Sequence, residues 1–122
     1  MEDVKIILAF IWVATMLCFL LGDVLRIYAG DFKSGEIDGK PVSHKMYFGM
    51  AIIMVIPIVM VVLSVILDFP VNGWVNIIVA IIFFVFNLIG IKGYKAYDVF
   101  LLVVSFLFNA LTVYYAATRL LI

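Results

Sequence analysis

The chain has 122 residues, of which 68% are hydrophobic and 13% charged, with eight basic and eight acidic side chains. Soluble domains run at about 45–50% apolar and about 25% charged residues, so a water-soluble fold of this size is excluded. Zero formal charge offers no basic patch for nucleic acid, the lone Cys18 excludes an internal disulfide or thiolate cluster, and the lone His44 excludes a multi-histidine metal site.

Four runs, at about 5–28, 45–67, 73–91 and 97–119, reach the roughly 20 apolar residues that cross a bilayer core of about 30 Å. The first begins behind Glu2, Asp3 and Lys5 and is longer than a signal-peptide core, which predicts a retained span. Its tail, "LLGDVLRIY", carries Asp23 and Arg26, three residues apart on one helical face and close to the membrane boundary. Pairing that neutralises both is one reading of them. An inward-facing ligand or ion site that includes Asp23 is the other.

The first connection, "GDFKSGEIDGKPVS", has the turn chemistry of a small polar hairpin. Span two follows with Met46, Met50 and Met54 on one face and with Pro57, which frees the carbonyl of Ile53. The tight "LDFPVNG" turn leads to span three, where Gly73, Asn76, Ala80 and Asn87 are the small or polar positions. After "GIKGYK", span four carries Asp98, Ser105, Asn109, Thr112 and Ala116 at spacings that fall on one helix face, the pattern of helix packing in lipid or of a lined cavity. Span one has the matching set Thr15, Gly22 and Arg26.

Short connections between such runs predict an all-α, integral membrane four-helix bundle of up-down-up-down topology, a single domain over residues 1–122. Arg26, Lys33, Lys40, Lys45, Lys92 and Lys95 lie on the side of the first and third connections, against Lys5 and Arg119 on the side of the termini. The positive-inside bias then places the protein in the cytoplasmic membrane with both termini outside. Tyr28, Tyr47, Tyr94 and Tyr97 gather at one interface, and Trp74, Tyr114 and Tyr115 at the other.

The segments "IPIVMVVLSVIL", "PVNGWVNIIVAI" and "LTVYYA" resemble a family of small four-span prokaryotic membrane proteins classed as a domain of unknown function. The resemblance covers all four spans and is most specific at "VNGWVNII". It implies that Asp23, in "GDVL", occupies a recurrent acidic position, and that Asn72, Trp74 and Asn76 form the family's turn-to-helix junction. Gly73 stands where relatives carry a basic residue, and Val55 and Ile56 where some carry an acid. What the resemblance implies is architecture, since no activity belongs to that family.

No base, nucleophile and orienting group fall at a usable spacing, so no catalytic residue, metal ligand or cofactor is assigned, and an enzyme is not expected. A small multidrug exporter would need a carboxylate deep in span one, where Thr15 and Cys18 stand; fluoride channels and other dual-topology proteins tend toward balanced loop charge, which this chain lacks. Two functions from different classes fit. The bundle binds or transports a small amphipathic molecule or a lipid, with Asp23, Arg26, Asn87, Asp98 and Asn109 at the polar end of the site. Alternatively, it is a structural or accessory membrane protein whose polar stripes hold helices or subunits together. Membrane lipid, a small-molecule ligand and a second copy of the chain are the expected partners, and nucleic acid is not.

Overall fold

The computed structural model of the protein describes residues 3–30, 36–37, 40–41, 43–90 and 95–121. Four helices account for most of them: α1 (Asp3–Tyr28), α2 (His44–Ile66), α3 (Val71–Gly90) and α4 (Ala96–Leu121). All four are long and apolar enough to cross a membrane. Between α1 and α2 the two-residue strands β1 (Glu36–Ile37) and β2 (Lys40–Pro41) pair antiparallel, the hairpin that the Gly- and Asp-rich connection predicts. Lys33, Lys92 and Tyr94, which enter the orientation argument, lie outside the described residues.

The helix ends follow from local chemistry. Asp3 and Asp98 stand in the first turns of α1 and α4, and Arg26 and Arg119 in their last turns, each charge opposing the nearer end of the helix dipole. Ser43 caps α2, its hydroxyl oxygen accepting from the Met46 N–H at 3.2 Å. At the other end of α2 the chain leaves the helix at Leu67, ahead of Pro70, and α3 starts at once. Pro57 lies within α2, buried.

Neighbouring helices run antiparallel. Lys5 Nζ pairs with Asp68 at 2.8 Å, Gly22 backs onto Asp98 and Leu101, and Gly73 backs onto Leu120. In packing, α1 contacts both α2 and α4, α4 also contacts α3, and α2 and α3 contact each other only slightly. One end of the bundle therefore carries the α2–α3 turn with the outer ends of α1 and α4. The opposite end carries the α1–α2 and α3–α4 connections.

Apolar side chains cover the outside, as a lipid-solvated protein requires, and the interior is unusually polar for its size. Trp12, Met60, Ala80 and Phe83 form its apolar centre, with the Trp12 and Phe83 rings meeting edge to face at 6.3 Å. Around them are buried Thr15, Ser64, Asn72, Asn76, Asp98, Ser105, Asn109 and Thr112. Every member of the α4 stripe expected from periodicity is buried. The methionine stripe of α2 is not core: Met46 is exposed, and the buried positions of that helix are Pro57, Met60 and Ser64.

Gly73 is where a close approach demands glycine. A Cβ there would lie 2.6 Å from Leu120 Cγ, so α3 and α4 come together at that point only without a side chain on α3.

Candidate functional site

Polar groups gather at both ends of the bundle, in different ways. At the turn end, Trp12 Nε1–H donates to Asn76 Oδ1 at 2.7 Å, and the Ser64 hydroxyl donates to the same oxygen at 3.3 Å. Asn76 Nδ2 donates to Asn72 O at 2.9 Å and to Asn72 Oδ1 at 2.7 Å. Asn72 Nδ2 in turn donates to the carbonyls of Ser64, at 2.7 Å, and Leu67, at 2.9 Å. Those carbonyls belong to the last turn of α2 and its cap, where no further helical N–H is available and lipid supplies no donor. Asn72 therefore closes α2, Asn76 holds Asn72, and the Trp12 indole ties α1 to both. Outside this network Lys5 holds the Asp68 carboxyl below its ordinary value of 3.8 by a hydrogen bond and by charge. The Arg119 guanidinium lies 4.9 Å from the centre of the Phe69 ring.

At the connection end, Asp23, Arg26 and Asp98 come together. Arg26 Nη2 pairs with Asp23 Oδ1. Its Nε donates to Gly22 O at 3.3 Å and stands 3.6 Å from Asp98 Oδ1 on α4. The two carboxylates differ in setting. The Asp23 side chain is 52% exposed and that of Asp98 8%. Asp98 thus takes the inward position and Asp23 the outward one, with the guanidinium between them neutralising charge. Gly22 lies against this cluster: a Cβ there would sit 3.5 Å from Asp98 Oδ1, an ordinary contact.

Asn87 and Asn109 do not join that cluster through any described bond. Asn109 is buried midway along α4, and neither its Nδ2 nor its Oδ1 has a hydrogen-bond partner among the described residues; Asn87 Nδ2 is in the same condition. His44 and Tyr47 are exposed and do not turn inward. Of the junction residues, Asn72 and Asn76 point into the bundle and Trp74 points out, 58% exposed, as an interfacial anchor does.

An apolar groove of about 320 Å³ runs between α1 and α2, lined by Val13, Met16, Leu17, Ile58, Val61 and Val62. That volume lies at the low end of the roughly 300–1,000 Å³ typical of small-molecule sites. It opens on the outer, lipid-facing surface, where Leu17, Ile58 and Val62 are exposed. Asp23 lies six residues beyond Leu17 on α1, a rise of about 9 Å. Among the described residues no group of three or more His, Cys, Asp or Glu is placed to hold a metal ion.

Residues 1–121 match a family of unknown function (DUF6326). The chain belongs to that family. No curated protein and no solved structure matches it. It is a multi-pass membrane protein with four apolar helices.

Sequence reading missed Ser64 and Trp12. Both left a signal: Ser64 is the sole Ser or Thr of α2, and Trp12 is a single indole N–H deep in an apolar run, which needs an acceptor when buried.

Proposed function

We propose that this membrane protein binds an amphipathic molecule at the outer face of α1 and α2, with an apolar tail in the groove and a polar head at Asp23 and Arg26. What carries the reading is the presence on one helix of an apolar groove and, about two turns farther along α1, a partly exposed carboxylate–guanidinium pair. A lipid or other chain-bearing amphiphile has that polarity. An opposed pair of charges suits a head group that offers both a cationic and an anionic centre. Buried Asp98 anchors Arg26 from within and so orients the pair. The accompanying orientation puts this head-group site at the cytoplasmic face and both termini outside, from the Lys and Arg bias. A cysteine introduced near residue 3 should then react with an impermeant reagent in whole cells, and reaction only after lysis would reverse the orientation.

The test is a thermal-shift screen of purified protein against lipids and charged amphiphiles. At a hundredfold excess over Kd a ligand stabilises by about 2.7 kcal/mol. Leu17→Trp, which fills the groove, and Asp23→Asn should each remove the shift while leaving the unliganded melting temperature nearly unchanged. A screen without any stabilising compound defeats the proposal.

A second reading has its own support. The Trp12–Asn76–Asn72–Ser64 network joins three helices and its side chains bond one another, which suits a structural or accessory role for the bundle. Under it no compound stabilises the protein, and disrupting the network lowers stability or assembly in the absence of ligand.

A further inference from the structure

The Asn109 carboxamide offers two N–H donors and an acceptor oxygen with two lone pairs. It is 2% exposed, with both polar atoms unpartnered among the described residues. Exchanging the two amide atoms changes nothing, since each lacks a partner. Leaving such a group unbonded in an apolar setting costs about 1–3 kcal/mol, and lipid cannot relieve it. Its burial also keeps it out of reach of a second copy of the chain.

The surroundings restrict what can pair with it. Thr112, one turn away on the same face, donates its hydroxyl proton to Phe108 O at 3.1 Å, and Ser105 donates to Leu102 O at 2.7 Å. On α1, Thr15 donates to Ile11 O at 2.9 Å. Gly22 faces Asp98 and Leu101. Seven residues farther along both antiparallel helices, a rise of about 10 Å, Thr15 comes level with Ser105 and Phe108, next to Asn109. All three hydroxyl protons are committed to backbone carbonyls, so each hydroxyl presents oxygen lone pairs. The mid-bundle layer is therefore rich in acceptors, and its free donors are those of Asn109.

We infer that Asn109 holds an ordered water molecule in the middle of the bundle, donating to Asn109 Oδ1 or the hydroxyl oxygens of Thr15, Ser105 and Thr112 and accepting from Asn109 Nδ2. Water matches the layer because it brings two donors, is neutral, and needs only two to four polar partners. It makes α4 a polar axis from Asp98 at the connection end to Thr112. This site is separate from the groove and from the Asp23–Arg26 pair.

The experiment is cross-relaxation between water and side-chain amide protons in ¹⁵N-labelled protein in nanodiscs of phosphatidylcholine. Asn76, whose Nδ2 is fully engaged with Asn72, is the internal control. The expected result is a water cross-peak at the Asn109 amide and none at Asn76, lost in Asn109→Leu while the Trp12 indole resonance stays in place. The Ser105→Ala/Thr112→Val variant should keep the cross-peak, because Asn109 and the Thr15 hydroxyl oxygen suffice to hold the water; its disappearance there would mean relay through a hydroxyl and would overturn the assignment. Absence of the peak from an assigned Asn109 amide would also overturn it. So would an Asn109 amide that shifts on sodium addition without a water peak, since the guest would then be a cation.

Discussion

The two ends of the bundle spend polar residues differently. At the turn end, four side chains from three helices satisfy one another and the open carbonyls of α2, and nothing charged enters the network. At the connection end, two carboxylates from two helices share one guanidinium, one carboxylate is half exposed, and Asn87 Nδ2 is unpartnered among the described residues. The first arrangement suits permanence. Neutral hydrogen bonds fixed by short turns cannot be exchanged for anything lipid provides. The second can trade partners, because the Asp23 carboxylate is half exposed and only one side of the guanidinium is held from within.

The comparison breaks most readily at its closed end. Asn76→Leu removes the acceptor of Trp12 and Ser64 and the donor to Asn72 together, and should destabilise the protein by about 2–4 kcal/mol in equilibrium unfolding from mixed micelles. A loss below about 1 kcal/mol would mean that the network is not what holds α1, α2 and α3 together. At the charged end the effects should be smaller and unequal. Asp98→Asn is expected to cost about 1–2 kcal/mol because it weakens a buried pair, and Asp23→Asn less than about 1 kcal/mol because its pair is half exposed. Equal losses would erase the distinction between inward and outward carboxylates.

The smallest effect concerns pH. Asp68 titrates below 3.8 when folded because Lys5 is beside it. Its contribution is thus present above the unfolded value and lost as pH falls through the lower folded value. Lys5→Ala should flatten the stability profile in the acid range below about pH 4. Because Asp68 is fully exposed the change should be slight, and an unaltered profile would show that the pair adds nothing to folding.

Much of the bundle was legible before any coordinates. The five α4 residues picked out by spacing are all buried, as are Thr15 and Gly22 on α1 and Gly73, Asn76 and Ala80 on α3. Periodicity succeeds on these faces because a polar or small side chain stands out against an apolar background. It gave less at α2, where methionine is as apolar as its neighbours and the shared face of Met46, Met50 and Met54 does not mark the buried positions. The Asp23–Arg26 pair was readable from their spacing. That Arg26 also reaches Asp98, 72 positions along the chain, was not.

Composition and run length by themselves determined the solvent and the four spans, and spacing determined the faces of α1, α3 and α4 that turn inward, because each can be read within a single run of residues. Which faces meet was decided by tertiary structure alone. The distance of 64 residues between Trp12 and Asn76, and the seat of Leu120 against Gly73, depend on how whole helices rotate and slide against one another. Helical spacing fixes the direction of a side chain on its own axis and leaves the rotation of the neighbouring axis open, so only close packing could choose the partners.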